Sequence, residues 1–555
     1  MSKERLIYLP LGGAGEIGMN AYVYGWGAPG KERLIVVDLG VTFPDMDGTP
    51  GVDLIFADVE WLEERADRIE GVFITHAHED HIGAVGHLYS RLKAPIHARP
   101  FTAHHCKRKL NDQGQDEEAV TVSAPWPAQT EAGPFKVGFA PISHSIPEAS
   151  ALIIDTPVGR IVHTGDFKLD ETPGVGEAFD PDFWREIGKS GVHALVCDST
   201  NVFSPLPGRS EETLGAAIQG LVESADGMFV ATTFASNVAR VKTLAEAGEA
   251  AGRSIVLLGR SMRRMIESSI ETGVLTSFPK VLSPEDAESV PRQNLMLLVT
   301  GSQGEGRAAS AALSRGRYLG IELSEGDTCL FSSKTIPGNE KGVARIVNAF
   351  SEKGVDVVSD DTNLYHVSGH ANRPDLEFFH GLIKPDMVIP MHGEHRHLRE
   401  HSKLAAANGF ASVLAPNGTM VDLTGDRPQV AEYIEAGRTY LDGSVQIGAL
   451  DGVVRDRIRM ATRGLVVVTL ILEDDEPLGD PWVEAKGLPE TGISNVPVVD
   501  VLEEDLSQFI GRAKPSTLAD DDDLEDELRK IARRVVKDEL DKKPEVIVVI
   551  SRLSA

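Results

Sequence analysis

Hydrophobic and polar positions follow two different periods along this chain. Short apolar runs that end in polar turns predict buried strands, and such runs fill the first 200 residues and return near residue 390. Between Phe203 and Tyr365, strand-like runs alternate with segments of helical spacing, as in Met228–Thr233 followed by Val238, Val241 and Leu244. This alternation predicts a parallel α/β domain inserted into a fold rich in strands.

The last part of the chain has a weaker pattern of the same kind. Residues 465–470 and 546–550 have the composition of strands, and 524–536 carries the apolar stripe of a helix. A small α/β C-terminal domain is expected. Residues 487–518 show few periodic signals and are predicted to form a loop or linker.

Candidate metal chemistry lies where the strand-like run Gly71–Thr75 ends. The residues that follow are His76-Ala77-His78-Glu79-Asp80-His81, which we expect in the loop after the strand. Imidazole and carboxylate ligands suit Zn²⁺ or Mn²⁺, and two ions can share such a cluster if other ligands join it. A polar loop with satisfied histidines is the less favoured alternative, because the ligand density is high.

Other candidate ligands also follow strand-like runs. They are His144 after 135–140, Asp166 after 161–163, and His392 after 387–391, and Asp38 follows Val36-Val37 in the same way. Strand ends at one edge of a β-sandwich can gather residues that are distant in sequence into one site.

These motifs resemble those of the ribonuclease J family, in the β-CASP group of metallo-β-lactamase enzymes, from the N-terminal strands to about Leu450. The resemblance implies an α/β fold: a metallo-β-lactamase αββα sandwich, an inserted β-CASP α/β domain and a small α/β C-terminal domain. The implied limits are 1–203 and 366–455 for the two parts of the sandwich domain with its linker, 204–365 for the insert, and 456–555 for the C-terminal domain.

The resemblance also implies a two-metal site. One Zn²⁺ would be held by His76, His78 and His144, the other by Asp80, His81 and His392, and Asp166 would bridge them. Two Zn²⁺ per subunit are expected, with Mn²⁺ or Mg²⁺ as alternatives. Asp38 is expected to orient a ligand histidine without binding metal, although an ordinary turn aspartate is an alternative.

Three motifs separate nucleic-acid enzymes of this group from small-molecule hydrolases of the same fold. They are Cys197–Asn201, with Asp198 near the metals, His366–Ala371, and His392. The resemblance implies a pocket for the 5′-terminal nucleotide formed by Ala235, Ser236, Asn237, His366, Val367, Ser368, Gly369 and His370. Ser236 and Asn237 also open a predicted helix, where backbone N–H groups favour phosphate. Taken alone, these residues are better explained by ordinary helix capping, and only the resemblance favours the phosphate.

The implied reaction is hydrolysis of RNA phosphodiesters by a hydroxide held between two metals. Asp80 would orient the hydroxide, and His370 would stabilise phosphoryl charge or protonate the leaving 3′-oxygen; a core histidine is the alternative for His370. We expect a zinc-dependent ribonuclease with 5′→3′ exonuclease and endonuclease activity, acting in RNA maturation and decay, including rRNA processing and mRNA decay. A non-catalytic RNA-binding subunit of an RNA-decay complex and a related DNA/RNA 3′-end nuclease remain alternatives.

The net charge of −29 opposes nucleic-acid binding only if it is spread evenly. Acidic residues concentrate at 520–527, while Lys107–Lys109, Arg260, Arg263 and Arg264 could form a phosphate track; solvated helix faces are the alternative. The expected partners are single-stranded RNA with a 5′-monophosphate, a second copy in a homodimer or homotetramer, and RNA-decay proteins, but no membrane. The N-terminus leads into a strand-like run, and Cys106, Cys197 and Cys329 are scattered, so a reducing cytoplasmic location is expected.

Three smaller features complete the expectations. Gly13–Gly18 fits a dinucleotide-binding pattern, but the strand-like run that follows favours a tight hairpin. His395, His397 and His401 are predicted to be exposed and not to bind metal. Asp53 and Asp442 are weak candidates for a structural Ca²⁺ site that some relatives have.

Overall fold

The computed structural model describes residues 4–359 and 364–553. Met1–Lys3, the start of the N-terminal segment that is predicted to lead into a strand, lies outside the described residues. The chain divides into two compact units. The first contains residues 4–42 and 56–438, and the second contains residues 43–55 and 439–553. No helix in the described ranges is long and apolar enough to cross a membrane.

The N-terminal part of the first unit is rich in strands, as the apolar runs predict. Its strands are β1 (Arg5–Gly12), β2 (Ala14–Gly15), β3 (Ala21–Gly27), β4 (Arg33–Val37), β5 (Val41–Thr42), β6 (Leu54–Ala57), β7 (Ile69–Phe73), β8 (Ile96–Ala98), β9 (Val120–Val122), β10 (Thr130–Ala132), β11 (Phe135–Pro141), β12 (Ser150–Asp155), β13 (Arg160–His163) and β14 (Ala194–Asp198). Its helices are α1 (Glu60–Glu63), α2 (Glu79–Ile82), α3 (Val85–Leu92), α4 (Pro100–Asp112) and α5 (Pro181–Lys189). The Gly13–Gly18 segment leads into strand β3, so the hairpin interpretation is confirmed.

The predicted insert alternates helix and strand. Its elements are α6 (Gly215–Ser224), β15 (Phe229–Thr232), α7 (Val238–Ala250), β16 (Ser254–Leu258), α8 (Arg260–Glu271), β17 (Val281–Leu282), α9 (Pro284–Ala287), β18 (Leu295–Val299), α10 (Ala309–Arg315), β19 (Thr328–Phe331), α11 (Glu340–Glu352) and β20 (Asp356–Val358). The six strands form one sheet in the order β17-β16-β18-β15-β19-β20, and every pair is parallel. Apolar clusters cover both faces, as a parallel sheet requires. The predicted parallel α/β arrangement is confirmed.

After the insert, the chain adds further helices and strands to the strand-rich N-terminal part. The returning elements are α12 (Arg373–Ile383), β21 (Met387–Met391), β22 (Gly393–Glu394), α13 (His395–Ala407), β23 (Ala411–Ser412), β24 (Thr419–Asp422) and β25 (Gln429–Tyr433). Single 3₁₀ turns lie at Ala66–Arg68, Glu117–Ala119, Glu211–Leu214 and Arg292–Asn294.

Two sheets pack face to face to form the sandwich. One has the order β25-β24-β1-β3-β4-β7-β8-β9 and the other β10-β11-β12-β13-β14-β21-β23. Tyr8, Ile35, Phe139 and Ile389 lie in the core between them. Helices α5, α12 and α13 bury apolar residues on the outer face of the second sheet, and α4 contacts β8 and β9 of the first. The predicted αββα sandwich is therefore confirmed.

The second unit has its own core. Its C-terminal elements are β26 (Arg438–Asp442), β27 (Val445–Gly448), α14 (Val453–Arg463), β28 (Leu465–Glu473), β29 (Glu476–Pro477), β30 (Trp482–Lys486), α15 (Val498–Ile510), α16 (Pro515–Leu518), α17 (Asp521–Leu540) and β31 (Glu545–Leu553). Strand β31 pairs parallel with β28, and α15 and α17 contribute apolar side chains to one cluster with this sheet. The predicted small α/β domain is confirmed.

The predicted loop or linker at 487–518 is wrong in its central part. Residues 498–510 form α15, and its buried positions Val498, Leu502, Leu506 and Ile510 recur every four residues. This spacing is the signal of an amphipathic helix. It is easily overlooked because the apolar stripe is narrow and acidic residues occupy several of the intervening positions.

Candidate metal centre

Each predicted ligand segment begins where a strand of the sandwich ends. His76 follows β7, His144 follows β11, Asp166 follows β13, and His392 directly follows β21. Asp80 and His81 lie on the short helix α2, so only the first part of the expected loop is irregular. The edge of the sandwich thus gathers residues that are more than 300 positions apart.

Three imidazoles form the first set of converging nitrogen atoms. His78 Nδ1 lies 3.1 Å from His76 Nε2 and 3.1 Å from His144 Nε2. Their outer nitrogens have separate partners. His76 Nδ1 lies 3.0 Å from the Thr75 hydroxyl, and His144 Nδ1 lies 2.5 Å from the carbonyl oxygen of Gly369.

Those outer contacts determine the tautomers. The Thr75 hydroxyl donates to Asp38, so it accepts from His76 Nδ1, and the Gly369 carbonyl can only accept from His144 Nδ1. Both Nε2 atoms therefore present lone pairs to His78 Nδ1, which carries at most one hydrogen. At least one of the two 3.1 Å contacts between nitrogen atoms therefore has no hydrogen atom to form a hydrogen bond. A cation at the centre satisfies all three lone pairs, so this donor set fits a metal ion.

A second set contains carboxylates and imidazoles. His81 Nε2 lies 3.3 Å from Asp166 Oδ2 and 3.6 Å from Asp80 Oδ2, and His392 Nε2 lies 3.5 Å from the same Asp80 atom. Asp166 Oδ2 is also 3.9 Å from His76 Nε2 and 3.8 Å from His144 Nε2. Asp166 Oδ2 thus lies between the two sets, in the position that the prediction assigns to a bridging ligand.

The electrostatics of the two sets differ. Burial, together with neighbouring imidazoles, lowers the pKa of His76 and His144 well below the ordinary value, and burial lowers the pKa of His78 to about 4. These histidines are neutral at pH 7, as metal ligands must be. Burial also acts on His81 and His392, but nearby carboxylates led by Asp166 raise the pKa of both.

Asp38 supports the centre from behind. Its Oδ2 accepts from His81 Nδ1 at 2.6 Å and from the Thr75 hydroxyl at 2.8 Å, and its Oδ1 accepts from the Thr75 backbone N–H. This contact pattern agrees with an orienting role. Asp38 and His392 both adopt left-handed backbone angles, with φ of 62° and 45°, as strained residues at functional sites often do. A Cβ at Gly40 would lie 1.6 Å from the Asp80 carbonyl oxygen, so only glycine fits there.

His370 and Asp198 form a pair beside the second set. His370 Nδ1 lies 2.8 Å from Asp198 Oδ2, while Asp198 Oδ1 accepts from the backbone N–H and the hydroxyl of Thr200. Burial disfavours the charged imidazole, but Asp198 and Asp166 raise the pKa of His370 to about 9. Nδ1 is committed to Asp198, so Nε2 is the atom left for other chemistry.

The residues of the predicted nucleotide pocket have several roles. Ser236 Oγ lies 3.1 Å from His78 Nε2, beside the first set. Asn237 caps α7 by accepting from the Arg240 backbone N–H, which is the ordinary capping alternative. The side chains of Ala235 and Val367 pack into the apolar cluster of the insert, so they contribute backbone and no recognition group.

The segment 366–370 connects this pocket to the metal ligands. Ser368 Oγ accepts from the Asn201 side chain at 2.7 Å, and the Gly369 carbonyl holds His144. A Cβ at Gly369 would lie 2.9 Å from His144 Cε1. His366 is half-buried, and desolvation with the cations of Arg240, Lys334, Lys168 and Arg209 lowers its pKa to about 3.

Sequence reasoning overlooked several residues. The amide nitrogen of buried Asn20 lies 3.0 Å from the Asp80 carbonyl oxygen and 3.0 Å from His81 Nε2, and Tyr22 holds the amide oxygen. Arg240 is fully buried and forms a bidentate ion pair with Glu211. Neither residue belongs to a local motif, so only the folded contacts reveal them.

Two expectations concern residues outside the ligand sets: the predicted exposure of three histidines is partly wrong, and the predicted Ca²⁺ site stays a prediction. His397 and His401 are buried, not exposed, because α13 packs its inner face on the sandwich; His395 is exposed as predicted. In the second unit, Asp442 pairs with Arg457 at 2.5 Å, and Asp53 accepts from the Gly443 backbone N–H at 2.8 Å. These contacts give both carboxylates ordinary roles, and the Ca²⁺ site stays a prediction.

Comparisons with known proteins agree with this architecture. Family models match for the metallo-beta-lactamase superfamily over residues 15–200, the ribonuclease J beta-CASP domain over 226–350, the Zn-dependent metallo-hydrolase RNA specificity domain over 354–416, and the ribonuclease J C-terminal domain over 452–553. The ribonuclease J of Sinorhizobium meliloti is 39% identical over 99% of this chain and 98% of its own length. The ribonuclease J of Mycolicibacterium smegmatis is 36% identical over 89% of each chain.

A solved structure is also similar. A protein of unknown function from Enterococcus faecalis V583 matches 75% of this chain and all of its own with a TM-score of 0.50 and 17% identity, which supports the fold alone. The fold and the ligand cluster define a metallo-hydrolase of the metallo-β-lactamase superfamily with a β-CASP domain. The full-length similarity and the two family-specific domains show that the chain belongs to the ribonuclease J family.

Proposed function

We propose that this protein is a two-metal, zinc-dependent ribonuclease that digests RNA 5′→3′ from a 5′-monophosphate end and also cuts internally. Family membership supports a metal-dependent ribonuclease and does not favour a non-catalytic subunit or a 3′-end nuclease. One observation carries the finer assignment. The side chains of Asp80 and His370 are 30% and 22% exposed, so the centre opens towards substrate on their side. Five of the other residues of the centre are at most 2% exposed, namely His76, His81, His144, Asp166 and His392.

The residues proposed to hold the metals are those of the two converging sets. His76, His78 and His144 would hold one ion, and Asp80, His81 and His392 the other, with Asp166 between them. The imidazole-rich composition favours Zn²⁺, with Mn²⁺ as the next candidate. When bound, two such ions supply a nucleophile at neutral pH and stabilise the charge that develops on the phosphoryl oxygens.

The open face assigns different tasks to its two polar residues. Asp80, a carboxylate acceptor, would orient the attacking water against the phosphorus. His370 would carry a proton on Nε2, because Asp198 fixes Nδ1 and holds the imidazole in its charged form. That proton can pass to the leaving 3′-oxygen, which leaves a 5′-monophosphate on the downstream product.

The proposed 5′-end pocket begins at Ser236, next to His78. Cationic groups of Arg209 and Lys334 act on the neighbouring His366, which supports binding of a terminal phosphate there, whereas nearby Lys168 is already paired with Asp170. A phosphate seated there would leave about one nucleotide between the pocket and the metals. This spacing supports stepwise digestion from a 5′-monophosphate, and a triphosphate should fit poorly.

The two predicted basic groups lie on neighbouring helices of the first unit. His105 of α4 contacts Ser268 of α8 at 3.1 Å, and His104 lies 3.9 Å from Glu271. Contacts in this order mean that α4 and α8 run antiparallel, which brings Arg108 towards Arg264. We infer that this end of the helix pair guides the RNA backbone.

Self-association is a further part of the proposal. The second unit exposes Trp482, Ile547 and Val549 on its sheet, and exposed apolar side chains of this size favour a protein interface. A homodimer or homotetramer, a cytoplasmic location and association with RNA-decay proteins stay predictions.

The test uses end-labelled RNA with a 5′-monophosphate or a 5′-triphosphate, wild-type protein, and a folded His76→Ala/Asp80→Ala variant. We expect wild type to release labelled mononucleotide from the monophosphate RNA faster than from the triphosphate RNA, and the variant to release none. Equal rates from the two RNAs would contradict the pocket. RNA binding without cleavage by metal-loaded wild type would contradict the nuclease.

A further inference from the structure

A second group of metal-binding side chains lies behind the proposed catalytic centre. Cys197 on β14, His380 on α12 and His401 on α13 each present a potential ligand atom, and these atoms all lie within 4.8 Å of one another. All three side chains are fully buried between the second sheet and its covering helices. No residue of this group belongs to the catalytic ligand sets.

The two imidazoles meet edge to edge. His380 Nε2 and His401 Nε2 are 3.1 Å apart, and the ring planes differ by 5°. A single ion about 2.0 Å from each nitrogen and about 2.3 Å from a sulfur holds tetrahedral ligand atoms roughly 3.3–3.6 Å apart. The observed separation of the two nitrogens is close to that value, and the sulfur lies within 4.8 Å of them, so binding of an ion would require the side chains to draw together around it.

The outer contacts give His401 the tautomer of a metal ligand. Ser199 Oγ lies 2.9 Å from His401 Nδ1 and has the Cys197 carbonyl as an acceptor for its own hydrogen. The serine can therefore accept from His401 Nδ1–H while it donates to this carbonyl at 3.4 Å, and in that tautomer the lone pair of Nε2 points towards His380. Metal-bound histidines are commonly oriented by such a hydrogen bond from the other ring nitrogen.

A simple imidazole pair is the alternative, and it leaves a polar atom unsatisfied. If His380 donates from Nε2 to His401, then His380 Nδ1 is a buried acceptor with no hydrogen-bond partner among the described residues. The thiol of Cys197 adds only a weak hydrogen-bonding group. With an ion on Nε2 the same Nδ1 atom is a buried donor without a partner among the described residues, so this atom does not decide between the two arrangements. A shared cation would engage the thiol and both imidazoles, whereas the imidazole pair engages only the two rings.

We propose that Cys197, His380 and His401 form a second metal site that takes a thiophilic divalent cation, Zn²⁺ by its ligand chemistry. One thiolate and two imidazoles are a ligand set that Zn²⁺ binds well, with a small fourth ligand completing the tetrahedron. The set also differs in kind from the catalytic one, which contains nitrogen and oxygen only.

The site would stiffen the loop that orients the catalytic residues. Cys197 precedes Asp198, the partner of His370, and the Ser199 backbone N–H donates to the His392 carbonyl oxygen at 3.2 Å. An ion that fixes Cys197 and His401 would therefore hold the Ser199 end of this contact, because Ser199 follows Cys197 closely and its hydroxyl lies 2.9 Å from His401 Nδ1. Its role is structural support, since none of its ligands faces the open side of the centre.

The experiment uses full-length protein produced with Zn²⁺ or with Co²⁺ as the supplied metal, so that the ion enters during folding. Cobalt bound to a thiolate gives a near-ultraviolet charge-transfer band that nitrogen and oxygen ligands do not give. All three cysteines are buried, so Cys106→Ser and Cys329→Ser are matched controls for Cys197→Ser.

We expect the cobalt protein and both control variants to show the band, and Cys197→Ser and His380→Gln to lose it. The zinc forms of these two variants should contain one equivalent less than wild type by mass spectrometry. Circular dichroism checks that each variant is folded. Wild-type cobalt protein without the band, or a band that survives Cys197→Ser, would overturn the proposal, and the wild-type result does not depend on any variant folding.

Discussion

Replacing Asp198 by asparagine should move the alkaline limit of RNA cleavage to lower pH. Asparagine has the shape of aspartate, and its oxygen can still accept from the Thr200 N–H and hydroxyl. Its amide nitrogen, however, would donate to His370 Nδ1 and remove the charge that favours imidazolium. The variant therefore tests the proposed proton donor while largely preserving the loop.

The expected size follows from the pKa of His370. Burial lowers this pKa, but Asp198 first and Asp166 second raise it to about 9, so the imidazolium is present below that pH and is lost as the pH rises through it. A loss of about two units, or about 2.7 kcal/mol, would reduce the charged fraction at pH 8 from about 90% to about 9%. Cleavage should fall about tenfold at pH 8 and almost not at all at pH 6. Bound cations lower both pKa values, so the pH at which the fall begins moves down with them, and the separation between the alkaline limits of the two proteins is the quantity to compare.

The assay is single-turnover cleavage of 5′-monophosphate RNA from pH 6 to pH 9.5 with equal metal content in both proteins. His370→Ala should lose the alkaline limb of the profile, and adding Asp198→Asn to it should have little further effect. If Asp198→Asn lowers the rate by the same factor at every pH, Asp198 does not act through the charge of His370, and the assignment of the proton donor fails.

Three further predictions concern other parts of the first unit. Arg240→Met should destabilise the β-CASP fold by up to about 3–5 kcal/mol, because buried Glu211 would lose its bidentate partner and keep only Lys168 at 3.8 Å. Hydrogen exchange of α7 measures this, and Arg240→Met/Glu211→Gln should recover part of the loss. Metal removal by a chelator should lower the thermal midpoint of wild type more than that of His76→Ala/Asp80→Ala, which lacks the facing ligands but keeps Cys197, His380 and His401, so equal shifts in calorimetry would argue against the centre. Arg260→Gln/Arg264→Gln should weaken RNA binding and make it less dependent on salt, by roughly one counterion for each phosphate that the variant no longer neutralises. The control is Arg185→Gln, which should leave the salt dependence of RNA binding unchanged, because the side chain of Arg185 pairs with Asp182.

The ligands could be predicted because each one follows a recognisable strand. A run such as Met387–Met391 has a local hydrophobic signature, and the residue after it must lie at the sheet edge. His76, Asp80 and His81 add a spacing that few structural roles demand. Sequence therefore revealed the candidate centre through local pattern and through the rule that strand ends meet.

The supporting contacts follow no such rule. Asn20 contacts His81 although the two residues are 61 positions apart, and Ser199 contacts His401 across 202 positions. Each pairing depends on how helices and turns pack, which single-sequence periodicity does not encode. The predicted exposure of His401 was wrong for this reason: its helix is amphipathic, and the packed sandwich decides which face is buried.

The segment His366–His370 connects the proposed 5′-end pocket to the proposed metal centre. Its Gly369 carbonyl orients His144, its His370 pairs with Asp198, and its Ser368 is held by Asn201. A nucleotide bound against this segment would therefore affect the position of His144, a proposed ligand of the first metal set. Recognition of the terminal phosphate should consequently change the rate of the chemical step as well as the affinity, because the same hydrogen bonds serve both. A side chain at position 369 would press on this connection directly, because a Cβ at Gly369 would lie 2.7 Å from Ser145 Oγ and 2.9 Å from His144 Cε1.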